Sequence, residues 1–198
     1  VTGNIFPDGS FDWWTAAATH KFIGTGGAVS PTLAQTKWSA ANDEFIRGQL
    51  GSTSMKVTAG AGLGHAVLSS DVYPGLLDLM NCTVSMYCWA YPVTNANDAS
   101  IEIYTKKADA TAQTLTSTTT NPTGEYTLLK LEDQVLNDDL VEVQIRFKVG
   151  TAAGVVYFDD AIVCGKYLYE YLLPKNFQNG HVAQVYSQSE GYSDIAAY

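Results

Sequence analysis

Apolar and polar positions alternate with period two along most of this chain. From Asn81 to Tyr91 the order is NCTVSMYCWAY, with Cys82, Val84, Met86, Cys88 and Ala90 on one side. Thr83, Ser85, Tyr87, Trp89 and Tyr91 fall on the other. Successive side chains of an extended strand point to opposite faces, so the stretch predicts a strand with one buried face. Pro92 and the polar run Thr94 to Asp98 end it. Ser100 to Thr105 predicts the next strand. The turn Asn121-Pro122-Thr123-Gly124 leads into a strand from Glu125 to Leu131. After Asn137-Asp138-Asp139 comes a second strong alternation, Leu140 to Val149. Val141, Val143, Ile145, Phe147 and Val149 oppose Glu142, Gln144, Arg146 and Lys148 there. Thr151 to Gly154 turns the chain into a last strand, Val155 to Val163.

The first third is less regular. A short strand is expected within Asn4 to Trp14, a helical turn or loop at Thr15 to Thr19, and a loop from Gly24 to Pro31. Short strands are expected at Ser54 to Thr58 and Gly64 to Leu68, and a loop or one helical turn at Val72 to Met80. Thr114 to Thr120 reads as an exposed strand or loop. No internal repeat interrupts the pattern. Many short strands separated by turns predict an all-β fold, an antiparallel β-sandwich.

The 198 residues are 46% hydrophobic and 16% charged. That is long enough to bury a core without staples and sparse in charge, where about 25% is usual. The net charge of -9 repels phosphate backbones and anionic lipid, which argues against nucleic acid and membrane partners. No stretch has the length of a membrane span. The opening Val1-Thr2-Gly3-Asn4 reads as a processed terminus or one that lost its Met.

Cys82, Cys88 and Cys164 are an odd set, with no closed disulfide framework. Cys82 and Cys88 on one strand would stand roughly 20 Å apart, beyond bonding reach. Either one pairing with Cys164 is the alternative, and the expectation is buried free thiols. The acid pairs Asp43-Glu44 and Asp138-Asp139 sit in turns, and His20, His65 and His181 carry no nucleophile or metalloprotease signature. The reading is non-catalytic. The sequon Asn81-Cys82-Thr83 is taken as chance.

Four segments, in order, carry a resemblance. Asn4 to Asp12 (NIFPDGSFD), followed by Trp13, resembles an opening of the form apolar-x-Asn-Gly-x-Phe-Glu. Gly51 to Val57 (GSTSMKV) resembles a Gly-x-x-Ser-Leu-Lys-Val strand. Cys82 to Tyr91 resembles a Tyr-Thr-x-Ser-x-Trp strand, with Tyr87 where Trp would fall. Val155 to Ala161 (VVYFDDA) resembles a closing Tyr-Phe-Asp-Asp-Val strand. Together they resemble the galactose-binding-like jelly rolls, which include carbohydrate-binding modules of secreted glycoside hydrolases and domains of phage tail and other virion proteins. The resemblance implies a jelly roll over residues 1–166, placed outside the cell or on a virion surface. It also implies a structural calcium between the first and last strands, held by Asp12 and Asp159, with Asp160 as the alternative. Hard oxygen ligands suit that ion. The family has Glu where Asp12 stands. A turn-capping or solvated Asp pair is the other reading.

If the two strong strands share a sheet, Tyr87, Trp89 and Tyr91 lie beside Glu142, Gln144 and Arg146 in one groove. Aromatic plates with fixed polar groups suit a neutral oligosaccharide or polysaccharide, whose C–H faces stack and whose hydroxyls take hydrogen bonds. A protein interface and plain scaffold are the alternatives for the same face. A virion or filament subunit that assembles through this fold is the alternative function. Residues 167–198 are surplus to the jelly roll, rich in Tyr, and contain an apolar-polar run at His181 to Tyr186. They are expected to dock on their own sandwich, or on a partner or second copy by strand addition.

Overall fold

The computed structural model describes residues 4–47 and 51–165. Twelve strands occur among them: β1 (Trp14–Ala16), β2 (Thr19–His20), β3 (Gly24–Gly27), β4 (Thr32–Lys37), β5 (Thr53–Thr58), β6 (Gly64–Ser69), β7 (Thr83–Pro92), β8 (Ala99–Lys107), β9 (Ala112–Thr116), β10 (Thr127–Val135), β11 (Leu140–Val149) and β12 (Val155–Gly165). Two short 3₁₀ turns, Asp43–Phe45 and Pro74–Leu79, punctuate the loops. No helix among the described residues is long and apolar enough to cross a membrane. The proposed extension 167–198 lies outside the described residues.

The strands make two five-stranded sheets, ordered β10-β7-β12-β5-β4 and β3-β6-β11-β8-β9, and a small β1-β2 hairpin. Every pairing is antiparallel. The chain is an all-β antiparallel sandwich, as the alternation predicted, and a jelly roll, as the resemblance implied. The inward rows of the two strong strands meet between the sheets: Val84, Met86, Cys88 and Ala90 from β7, and Val143, Ile145, Phe147 and Val149 from β11. Each buried row removes apolar area from water at about 25 cal/mol per Å², which is what fixes the register.

Two expectations are corrected here. Gly24 to Gly27 is a strand on the edge of the second sheet, paired with β6, and not a loop. Its Gly-Thr-Gly-Gly sequence has no apolar row to read, and it is extended because β6 needs a neighbour. At Gly27, φ is 107 and a Cβ would come within 2.9 Å of the Leu63 carbonyl oxygen and Gly64 Cα, so glycine suits this close backbone approach. Val141 leaves the apolar row and is exposed, because a bulge between Leu140 and Glu142 shifts the register.

The opening segment closes one part of the sandwich. Phe6 and Phe11 pack edge-on against Phe147, at 5.6 and 5.4 Å between ring centroids. Asn4 clamps β12, donating to the Ala161 carbonyl and accepting from the Val163 N–H, and the Ile5 N–H reaches the Val163 carbonyl. Phe11 sits at φ 52, a strained value for a bulky residue. Asp8 holds that turn: its carboxylate accepts from the N–H groups of Asp12 and Trp13 and from Ser10 Oγ, and meets His20 Nε2 at 2.8 Å. His20 Nδ1 accepts from the N–H groups of Phe22 and Ile23, so its proton sits on Nε2 toward Asp8. Burial opposes ionisation of Asp8. The His20 hydrogen bond and the two backbone N–H groups outweigh it and hold the carboxyl below its ordinary range.

Candidate functional site

Thirty of the buried apolar residues form one cluster between the sheets. Five others are buried and stand apart from it: Tyr87, Tyr91, Tyr157, Ile162 and Cys164. All five lie on the outward rows of β7 and β12, which are adjacent in the first sheet. In that pairing Tyr157 faces Tyr91, Asp159 faces Trp89, Ile162 faces Tyr87 and Cys164 faces Ser85. The alternation of β7 puts Trp89 in the same row, half-buried.

The loop after β4 covers one end of this face. Phe45 stacks on Tyr157 at 4.3 Å and 10° and meets Tyr91 edge-on at 5.5 Å. Its carbonyl accepts from Ser54 Oγ at 2.6 Å and Tyr126 Oη at 2.8 Å. Tyr126 also packs edge-on against Tyr91. Burial, then the Glu44 carboxylate that its hydroxyl meets at 3.4 Å, raises the Tyr91 pKa, so the phenol stays a donor. The Arg47 N–H donates to Asp159 at 2.8 Å, and the Arg47 guanidinium lies over the Trp89 ring at 4.5 Å. Lys56 stands 5.7 Å from the Tyr157 ring, and Tyr87 Oη donates to Glu132 at 3.1 Å. Trp38, at the far side of the same loop, is 60% exposed and donates its Nε1–H to Asp43. The result is an aromatic row with one ring half open, rimmed by Arg47, Lys56 and Glu132.

The two halves of the expected groove are not together. Tyr87, Trp89 and Tyr91 lie on β7 in one sheet, whereas Glu142, Gln144 and Arg146 lie on β11 in the other. Both strands turn their apolar rows to the common core, so their outer rows face opposite sides of the molecule. The polar groups beside the rings are Arg47, Lys56, Glu132 and Glu44. Arg47 and Glu44 come from a loop with no periodic pattern, and only its Trp38 and Phe45, large apolar residues outside any alternation, could have marked it.

The β11 residues form a network of their own. Arg146 bonds Glu102 at 2.6 Å and Gln144 at 2.7 Å, and its guanidinium lies 4.0 Å from the Tyr104 ring. Gln144 bonds Glu142, and Lys148 reaches the other Glu102 oxygen at 2.9 Å. Burial opposes ionisation of Glu102, and Lys148 and Arg146 overcome it, leaving its pKa lowered. Burial and the nearby Arg146 push His65 down to about 4. These residues are bonded chiefly to one another across β8 and β11.

Asp159 and Asp160 are both fully buried at a bulge in β12, with Asp160 at φ 50. The Asp159 carboxylate accepts from the N–H groups of Arg47 and Asp160. Asp12 is exposed, its carboxylate beside Gly51. Among the described residues no three His, Cys, Asp or Glu side chains converge as metal ligands would. The three cysteines are free thiols, with Cys88 and Cys164 buried. Burial raises both, Cys164 to about 12.

A second aromatic surface went unread in the sequence. Trp13, half exposed, packs on Phe22 at 5.4 Å, and Phe22 on Tyr73 at 6.3 Å. Lys21 lies over both Trp13 and Phe22. These residues come from separate loops, so no spacing announces them.

No protein-family model matches the sequence, and no curated protein matches it. Solved structures match the fold. A xylan-binding domain from carbohydrate-binding module family 22 is 12% identical, with a TM-score of 0.59 over 83% of this chain and 96% of that one. The C-terminal family 22 module of Clostridium thermocellum Xyn10B gives 12% identity and 0.59 over 84% of this chain and 96% of its own. The enzymatically active domain of tailspike protein 4 of bacteriophage CBA120 gives 15% and 0.50, over 81% of this chain but 21% of the tailspike chain. At these identities the likeness is one of fold: the chain shares the jelly-roll fold of these modules.

Proposed function

We propose that this domain is a non-catalytic carbohydrate-binding module, working outside the cell, that takes a neutral oligosaccharide across the outer face of the β10-β7-β12-β5-β4 sheet. The observation that carries the reading is Trp89, a half-open ring in a row of buried tyrosines with the Arg47 guanidinium above it. A pyranose presents a C–H face to such a ring, and its hydroxyls find charged partners in Arg47, Lys56 and Glu132. Trp38 adds an exposed indole on the covering loop. The fold shared with a xylan-binding domain supports the choice of ligand class. Tyr87 and Tyr91 are buried supports of the platform. Glu142, Gln144 and Arg146 on the other sheet are not part of it. A glycan array probed with the unmodified chain and with Trp89→Ala tests the reading. Binding of a neutral glycan that is lost in the variant supports it, and equal binding by both, or by neither, refutes it.

Assembly into a particle or filament is the second reading, favoured by the half-exposed Trp13 ring that packs on the partly buried Phe22 beside Tyr73. Light scattering at high concentration separates the two, since a monomer that binds sugar saturably contradicts assembly.

A structural calcium at Asp12, Asp159 and Asp160 belongs to the same proposal. Its support is the hard oxygen chemistry of two adjacent aspartates, Asp159 and Asp160, at the β12 bulge.

A further inference from the structure

Most buried acids of the sandwich are well provided with partners. The Asp8 carboxylate has His20 and two backbone N–H groups, Glu102 has Arg146 and Lys148, and Asp159 has the N–H groups of Arg47 and Asp160. Asp98, in the loop between β7 and β8, is different. It is 2% exposed. Its Oδ1 accepts from the Thr151 hydroxyl at 2.9 Å, and its Oδ2 is buried with no hydrogen-bond partner. No Lys, Arg or His among the described residues pairs with it. One neutral hydroxyl does not offset the cost of taking a carboxylate out of water. A buried acid oxygen left in this state marks the place of an ion or a water.

We infer that Asp98 is a ligand of a calcium ion, at a site separate from Asp12, Asp159 and Asp160. Its oxygens come from two segments. The loop before β8 supplies Asp98 and Asn95, and the turn between β11 and β12 supplies Thr151. Asn95 donates its amide N–H to Thr151 Oγ at 2.9 Å, which leaves the Asn95 amide oxygen as a further donor to an ion. Asn95 and Thr151 are exposed and Asp98 lies beneath them, so an ion enters from solvent between these two side chains. Gly154 makes the room. A Cβ there would run into Asp98 Oδ2 and stand 2.8 Å from Thr151 Oγ. Carboxylate, hydroxyl and amide oxygens suit a hard cation, and an irregular set of them suits calcium over magnesium, which demands an octahedron. One carboxylate among neutral oxygens makes a weak site, with a Kd of about 1 mM. The ion would staple the β7–β8 loop to the β11–β12 turn, where the Gly150 N–H already bonds the Asp98 carbonyl at 2.7 Å. The inference does not depend on sugar binding.

The test is thermal melting of the full-length chain and of Asp98→Asn, each in EDTA and in about 10 mM calcium chloride, about tenfold over that Kd. Calcium should raise the melting temperature of the unmodified chain by about 3–6 °C more than that of Asp98→Asn. In EDTA the variant should melt no lower than the unmodified chain, because the amide removes a charge that nothing offsets. Calcium held at Asp12, Asp159 and Asp160 shifts both chains alike, so the difference between them reads Asp98 alone and stands or falls apart from that site. Equal shifts in the two chains, or none in either, overturn the inference. So does an Asp98→Asn chain destabilised to the same extent in both solutions. If Asp98→Asn does not fold, Thr151→Val, at an exposed position, is read in its place. A smaller calcium shift than in the unmodified chain supports the site, and an unchanged one overturns it.

Discussion

At the level of single residues, small changes in place decide large effects. A methyl group on Gly154 would overlap the Asp98 carboxylate, which is buried and bonded to Thr151 at 2.9 Å in the turn between β11 and β12. Gly154→Ala is expected to cost about 1–3 kcal/mol, the range for forced overpacking, read as a lower midpoint in urea. No change there would mean the turn relaxes freely. His65 gives a pH prediction. Its folded pKa, about 4, lies below the ordinary value of 6.5, so the unfolded chain takes up a proton that the folded chain refuses. Stability should therefore fall as pH drops from 6.5 toward 4. Asp8 and Glu102, both lowered, act in the same direction nearer their ordinary values, their contributions being lost as those carboxyls protonate. His65→Gln should flatten the slope of melting temperature against pH between 6.5 and 4 and leave the steeper acid limb. An unchanged slope would show that His65 is protonated equally in both states. For calcium, EDTA should lower the melting temperature. Binding to the native state alone contributes about 2.7 kcal/mol at a hundredfold excess over Kd. An unchanged melting curve with no metal found by elemental analysis would remove the ion from the account.

Among the elements, those with an apolar row were legible in the sequence, and those without one were not. β7, β11 and β12 each send one apolar row into the core, so period two showed their type and nearly their bounds. β3 has no row and β4 has only Leu33 buried among its apolar residues, and both owe their conformation to a partner strand. The rings of the site were legible for the same reason as the strands: Tyr87, Trp89 and Tyr91 are the outer row of a strand whose inner row is plain. Their neighbours were not. Alternation tells which side of a strand faces the core but not which sheet the strand joins, because pairing is set by contacts far apart in sequence. β7 and β11 therefore read alike and lie back to back. The core offers a test at this level. Phe147 touches Phe6, Phe11 and Phe158 and ties the opening segment to both sheets. Phe147→Ala should cost about 3–5 kcal/mol and loosen the segment that Asp8 pins. A loss much under that in chemical denaturation would mean the aromatic cluster collapses around the gap.

For the whole molecule, the sandwich separates two outer faces of different character. One is a lattice of Glu102, Arg146, Gln144 and Lys148 bonded to one another. The other is an aromatic row, capped at one end by the loop carrying Phe45 and half open at Trp89. A net charge of -9 repels polyanions, in keeping with the proposal of a neutral ligand. The account places that ligand on the aromatic face alone. Titration calorimetry with xylohexaose and a panel of other neutral oligosaccharides, comparing the unmodified chain with Trp89→Ala on one sheet and Gln144→Ala on the other, tests this most directly. The account predicts saturable binding of at least one sugar by the unmodified chain, its loss in Trp89→Ala, and its retention in Gln144→Ala. Binding that survives Trp89→Ala, or that is lost only in Gln144→Ala, would contradict it.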